Sequence, residues 1–256
     1  MKYLKANYHA HTVRCKHAVD SERAYIEAAI DMGMKTFGFA DHVPIPFHNG
    51  FVSGIRMDMD EAGEYLDTIH KLAKEYESQI HVLAGFEAEY IPEFYEEQME
   101  QLKKLNYDYM IMGQHFLESE QFGPYTGNPT TDERMIIGYV DLVLEGMETG
   151  DYMYLAHPDL IHFLGDERIY DEQMRRLCLE LNRMDIPLEM NILGMAGKRH
   201  YPTERFWKIA GEVGNSVIMG LDAHTAEQVR EIDGYKRCRK LADKCHLNLI
   251  HEMEGV

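Results

Sequence analysis

Positive charge is scarce in this 256-residue sequence: 26 lysines and arginines stand against 44 aspartates and glutamates, for a formal net charge of −18. A surface of that sign repels polyanions, so nucleic acid is a poor stable partner. A small phosphate ester remains open as a ligand, because bound cations reverse the sign locally. Most of the acidity reads as carboxylates on solvated helix faces. Cysteine is scarce too. Cys15, Cys178, Cys238 and Cys245 form no C-x-x-C pair, so a zinc ribbon or a thioredoxin-type motif is absent. Reduced thiols and a cytoplasmic location are the simplest expectation. No apolar run approaches the roughly 18 residues of a membrane span, so no membrane partner is expected. The start, Met1-Lys2-Tyr3-Leu4-Lys5, lacks the apolar stretch of a secretory signal. No linker, repeat or low-complexity stretch divides the chain. One domain over residues 1–256, the size of a single α/β barrel, is therefore expected. Oligomeric state is left open.

The sequence does contain a regular alternation. Buried-strand patterns occupy residues 4–8, 36–40, 80–86, 109–112, 152–156, 186–190 and 217–221. Helical spacing occupies residues 21–34, 59–79, 94–105, 132–149, 171–184, 202–214 and about 225–245, with Ser21 as a candidate N-cap. Strand and helix thus alternate about seven times, which predicts a parallel α/β sheet, open or closed.

The distribution of histidine and acid adds chemistry to that pattern. His9 and His11 are two apart at the end of the first strand, where side chains at i and i+2 share a face. Asp222-Ala223-His224 stands at the end of the last strand. His42, Glu87, His115 and His157 also follow directly, or nearly so, on predicted strands. In α/β folds the site lies at the C-terminal strand ends, and a closed barrel brings those ends to one mouth. Imidazoles with carboxylates suit Zn²⁺, Mn²⁺ or Fe²⁺ better than Mg²⁺ or Ca²⁺. With His17, nine candidate ligands result: His9, His11, His17, His42, Glu87, His115, His157, Asp222 and His224. One ion takes about four to six ligands, so two or three divalent ions are implied. Glu87 is the candidate bridge in a two-metal site, where ions about 3.5–4 Å apart generate a hydroxide nucleophile near neutral pH. That chemistry is hydrolytic. The plain alternative is a set of capping and core polar residues, with His17 and His42 as ordinary loop residues.

His9-Ala10-His11-Thr12, Asp41-His42, Gly85-Phe86-Glu87, Gly113-Gln114-His115-Phe116, Ala156-His157-Pro158 and Asp222-Ala223-His224 resemble the metal motifs of the polymerase and histidinol phosphatase (PHP) family. The resemblance spans nearly the whole chain. It implies an α/β fold of distorted, TIM-like (βα)7 barrel form with a trinuclear metal centre at the C-terminal strand ends. By the same resemblance, one ion takes His9, His11, Glu87 and Asp222. A second shares Glu87 and adds His115 and His157. A third takes His17, His42 and His224.

Cys15-x-His17-Ala18, Asp41-His42-x-Pro44, Arg56-Met57, Glu87-x-Glu89-Tyr90-Ile91-Pro92 and Arg199-x-Tyr201-Pro202 are similar to the histidinol-phosphatase branch. That branch implies hydrolysis of L-histidinol phosphate in histidine biosynthesis. The chain departs from the branch's usual pattern at Gly113-Gln114-His115 and at Glu89, both beside expected ligands. The implied mechanism is in-line attack on phosphorus by a metal-bridging hydroxide. Arg199 is expected to add a bidentate phosphate contact, and Arg56 a second from its loop. His17 is a candidate leaving-group acid if it is not a ligand. Glu89 and Phe116 are expected near the substrate's ammonium and imidazole. Two alternatives stay open: another small ester, such as a nucleotide, as substrate, and a metal-binding protein without turnover.

Overall fold

The computed structural model describes residues 3–253 and 255, and among them are seven strands and eight helices. The strands are β1 (Ala6–Asn7), β2 (Thr36–His42), β3 (His81–Ala88), β4 (Tyr109–Met112), β5 (Leu188–Asn191), β6 (Ser216–Gly220) and β7 (Asn248–Leu249). The helices are α1 (Glu22–Asp31), α2 (Ala62–Tyr76), α3 (Pro92–Leu102), α4 (Glu133–Glu148), α5 (Glu167–Arg183), α6 (Ile192–Ala196), α7 (Glu204–Val213) and α8 (Ile232–Lys244). Every strand pairing is parallel, in the orders β1-β2-β3-β4 and β5-β6-β7.

Single residues join the two sheets into a curled, barrel-like wall. Leu155 bridges Met112 on one side and Leu188 on the other, and Ala10 bridges Ala223 beyond the ends of β1 and β6. The fold is thus the distorted (βα)7 barrel type, with β7 an extra strand against the lower part of β6. Residues 152–156, expected as a strand, do not form a regular one. They still transmit the sheet: Met153 and Ala156 donate their N–H groups to Met110 and Met112, and Leu155 donates to Pro187. Pro187 has no N–H to return, which limits the ladder on that side.

Local chemistry sets most helix starts. The side chains of Ser21, Asp132, Asp166, Asn191 and Thr203 accept backbone N–H groups at the starts of α1, α4, α5, α6 and α7. Pro92 occupies the first turn of α3, where a missing N–H costs nothing. Two expected helices are broken. Residues 59–61 form a separate 3-10 turn before α2, and Gln228–Arg230 form another before α8. The short helix α6 and the strand β7 lie outside the predicted alternation.

Period-2 alternation separates core from site. Ala6, Tyr8, Ala40, Leu83, Tyr109, Ile111, Tyr154 and Ile218 form a buried cluster inside the barrel. Phe37, Phe39, Val82 and Val217 point the other way, into the larger cluster beneath the helices. Ala40 shares its face with His42, Leu83 with Glu87, and Ile218 with Asp222. The apolar plug therefore sits directly below the polar residues of the strand ends. The Tyr109 hydroxyl donates to the carbonyls of Tyr8 (2.7 Å) and Phe39 (3.1 Å), so even this plug leaves its polar atom satisfied.

Candidate metal centre

The nine expected ligands meet at the C-terminal strand ends, around Glu87, whose residue is 1% exposed. Its two oxygens face different neighbours. Oε1 lies 2.8 Å from His157 Nε2 and 3.5 Å from both His9 Nε2 and His115 Nε2. Oε2 lies 3.0 Å from His42 Nδ1 and 3.5 Å from His11 Nε2. A carboxylate presenting each oxygen to a separate imidazole set has the geometry of a bridge between cations. Asp222 Oδ1 completes one side, 3.1 Å from His11 Nε2 and 3.5 Å from His9 Nε2. His9, His11 and Asp222 can offer ligand atoms within 4.8 Å of one another; so can His9, Glu87 and His157, and also His11, His42 and His224. His17 joins His224 and Cys15 in a further group of this kind.

The donor set fits divalent cations on a second count. Among the described residues, His9 Nε2, His11 Nε2, His42 Nδ1 and Glu87 Oε2 are buried polar atoms without a hydrogen-bond partner. The 3.0 Å approach of His42 to Glu87 is close in distance but lacks hydrogen-bond alignment. Buried polar atoms are rarely left orphaned, and each such atom demands a ligand or an explanation. Convergent nitrogen and oxygen lone pairs in one cluster are what a divalent ion uses.

Oxygens behind the rings select which nitrogen is free. His17 Nδ1 donates to the Cys15 carbonyl (2.6 Å) and His224 Nδ1 to the Asp222 carbonyl (2.9 Å). A carbonyl can only accept, so in the neutral rings Nε2 bears the lone pair. His9 Nδ1 meets Glu189 Oε2 at 2.8 Å, and His115 Nδ1 meets Glu89 Oε1 at 3.0 Å. His11 Nδ1 faces Asp41 Oδ1 at 3.4 Å, and Asp41 also accepts from the Thr12 N–H and hydroxyl.

Charge follows the same division. Burial, with His11 beside them, pushes His42 down to about 4 and His224 down to about 3, and lowers His17 as well. These three are neutral imidazoles at physiological pH, the form that ligates. Burial opposes a charge on His9 and His11 too, but there the carboxylates prevail. Glu189, Asp222 and Glu87 hold His9 well above its ordinary value, and hydrogen bonds to Asp222 and Asp41 raise His11 to about 9. Glu87 and Asp222 resist burial because the surrounding imidazoles hold both well below the usual carboxylate range.

Backbone strain is concentrated at the same place. His157 (φ 31°) and Asp222 (φ 53°) adopt positive φ, which is costly for residues other than glycine and clusters at functional sites. Gly113 is dictated by close approach: a Cβ there would lie 2.0 Å from Glu87 Oε1.

A cavity of about 470 Å³ opens over this centre. Phe116, Tyr125, Tyr201, Leu193 and Ile55 supply its apolar walls, and Arg199 stands at its exposed rim. One Arg199 nitrogen donates to the Tyr201 hydroxyl at 2.7 Å, which leaves most of its five N–H donors available. The Arg199 segment is held by His200, whose ring stacks on His162 at 4.0 Å and donates to the Leu160 carbonyl.

Arg56 and Glu89 do not line this cavity, against expectation. Arg56 is 1% exposed and Glu89 2%. The guanidinium grips Glu89 through two bonds (2.9 and 3.1 Å) and also reaches Glu120 (2.8 Å) and the Val43 carbonyl (2.9 Å). Buried and committed to four bonds with these partners, Arg56 does not reach the cavity. It fixes Glu89, and Glu89 fixes His115. The pair therefore stands behind a candidate ligand instead of in the pocket. Glu189 and Asn191, which touch His9 and Asp222, are functional candidates that the sequence pattern does not single out. Their signal was a carboxylate and an amide on one face of an otherwise apolar buried strand, Leu188–Asn191.

Comparison with known proteins agrees with this architecture. The family model described as "PHP domain" matches residues 7–192. A Deinococcus radiodurans protein named "Probable histidinol-phosphatase" is 26% identical over 253 residues, which covers 92% of this chain and 93% of that protein. A Schizosaccharomyces pombe protein of the same name is 24% identical, with 96% of this chain and 88% of the relative covered. Among solved structures, the histidinol phosphate phosphatase of Lactococcus lactis, complexed with zinc, L-histidinol and phosphate, superposes with a TM-score of 0.71. It is 17% identical, with 96% of this chain and 95% of that one covered. Barrel, convergent ligand set and family match together place this chain in the PHP domain family.

Proposed function

We propose that this protein is a metal-dependent phosphatase that hydrolyses L-histidinol phosphate to L-histidinol and phosphate in histidine biosynthesis, with residues 1–256 acting as one catalytic unit. The observation that carries the reading is the two-faced Glu87 carboxylate beneath a small, aromatic-walled cavity with the Arg199 guanidinium at its rim. The names of the two full-length relatives, and the ligands of the Lactococcus lactis structure, support the substrate.

Two or three ions of Zn²⁺, Mn²⁺ or Fe²⁺ complete the site. His9, His11, Glu87 and Asp222 would hold one; Glu87, His115 and His157 a second; His17, His42 and His224 a third. Bound there, such ions supply a water nucleophile at neutral pH and neutralise phosphoryl oxygens. The chain's own residues position the substrate. Arg199 offers paired N–H donors to phosphate oxygens. Phe116, Tyr125 and Tyr201 would wall the cavity beside the organic group. His17 is assigned to the third ion, because its Nδ1–H is spent on the Cys15 carbonyl and its Nε2 lone pair remains.

One observation favours a second reading, in which the phosphatase acts on a different small ester. Among the described residues, the carboxylates lining the cavity are Glu87 and Asp222, both assigned to ions. None is left there to pair with a substrate ammonium.

The experiment is steady-state phosphate release from L-histidinol phosphate beside nucleotides, sugar phosphates and an aryl phosphate, on metal-reconstituted protein. The proposal expects a kcat/KM of about 10⁴ M⁻¹s⁻¹ or more for histidinol phosphate, well above the rest. A clear preference for a panel ester without an ammonium would replace the substrate and keep the site. No release from any ester at full metal loading would refute the enzymatic reading.

A further inference from the structure

On β5, Glu189 and Asn191 point into the barrel with alternate spacing, while Leu188 and Met190 join the outer core. Both are essentially unexposed, at 0% and 1%. A carboxylate in that position is costly unless every oxygen is partnered. Glu189 is fully partnered: Oε2 accepts from His9 Nδ1 (2.8 Å) and the Tyr154 hydroxyl (3.1 Å), and Oε1 accepts from Asn191 Nδ2 (2.9 Å). The same Asn191 nitrogen lies 3.2 Å from Asp222 Oδ2. Its other amide atom accepts the Gly194 N–H and caps α6. The neighbouring strand makes room: Gly220 pairs with Asn191 in register, and a Cβ at Gly220 would lie 2.2 Å from Glu189 Oε2.

We propose that Glu189 and Asn191 are a positioning pair for one metal ion, acting on ligands from two other strands at once. The inference rests on the assignment of His9 and Asp222 as ligands made above. Glu189 accepts the Nδ1–H of His9 and holds the ring so that Nε2 faces inward, where an arriving ion would displace any proton it carries. Asn191 ties the Asp222 carboxylate to the same network and prevents its rotation away from His9 and His11. Groups that orient ligands in this way tune affinity, and their loss typically costs 10–100-fold in metal binding.

The test is metal binding, not turnover. Zn²⁺ or Mn²⁺ is titrated into metal-stripped wild type, Glu189→Gln, Asn191→Ala and His9→Ala, in competition with a chromophoric chelator. Thermal melts of the metal-free forms check folding. Glu189→Gln keeps the shape and removes the charge. It is expected to retain the full number of sites and to weaken one of them by about 10–100-fold. His9→Ala is expected to lose that site. Asn191→Ala is expected to weaken the same site, and serves as the second variant should Glu189→Gln fail to fold. Wild-type affinity at every site in Glu189→Gln or in Asn191→Ala, with the site lost in His9→Ala, overturns the positioning role alone. Full binding by His9→Ala overturns the ligand assignment and this inference with it.

Discussion

Replacing Arg56 with methionine separates a structural guanidinium from a substrate-binding one. In the fold, Arg56 is buried, and its bonds run to Glu89 (2.9 and 3.1 Å), Glu120 (2.8 Å) and the Val43 carbonyl (2.9 Å). Methionine fills much of the volume but leaves Glu89 and Glu120 as buried carboxylates without their cation. Breaking a buried pair by removing one partner costs about 3–5 kcal/mol. At about 2–4 °C per kcal/mol for a chain of this size, the melting temperature should fall by roughly 6–20 °C. The double variant Arg56→Met/Glu89→Gln removes one stranded charge and should recover part of that loss, with a coupling of about 0.5–3 kcal/mol. KM should stay near wild type, because Arg56 does not line the cavity, whereas kcat should fall as Glu89 loosens its hold on His115. Urea unfolding of the metal-free proteins gives the stability term and phosphate release gives the kinetic one. A stability loss under about 1 kcal/mol together with a large rise in KM would refute the reasoning, since stranding a buried carboxylate without its cation is not expected to be so cheap. That result would return Arg56 to the substrate.

Two further outcomes follow from close packing and burial. Gly113→Ala places a Cβ 2.0 Å from Glu87 Oε1, so either this carboxylate or the strand must give way, and displacement of the carboxylate is expected. Activity should drop about 100-fold, the scale of a 1 Å misplacement at a reacting centre, and retention of wild-type turnover and metal content would show that the strand shifts instead. Burial pushes the Cys178 and Cys238 thiols up to about 12. A raised thiol pKa suppresses the reactive thiolate, to roughly one part in ten thousand at pH 8. Neither cysteine should react with a thiol reagent in the native protein, and all four should react in guanidinium; rapid native labelling of Cys178 or Cys238, located by mass spectrometry, would contradict the packing.

The alternation of strand and helix was legible because each element carries its own signal. Residues 109–112 matched β4 in full, and α1, α4 and α7 started within two residues of where the pattern placed them, since side-chain caps mark helix starts locally. Breaks inside a pattern were not legible. The α2 and α8 patterns each ran through a 3-10 turn, and the residues 152–156 pattern ran into a segment whose neighbour, Pro187, cannot donate. The positions of the candidate ligands were visible for a related reason: a histidine or acid directly after a buried strand is placed by the fold type, whatever the rest of the chain does.

The sequence by itself determined the parallel α/β class, the end of the barrel where the polar residues gather, and the residue types that make that end a home for divalent cations. Those follow from periodicity and composition, which are local properties. Only the tertiary structure decided what stands behind each imidazole. Arg56 and Glu89 are adjacent to a motif in sequence, yet they face each other and His115, because a bidentate guanidinium–carboxylate pair satisfies both charges away from water. Glu189, 180 residues from His9, became its partner through barrel closure. Contacts between strands distant in sequence depend on register and on the room left by residues such as Gly220, and neither is written in the pattern of any one strand.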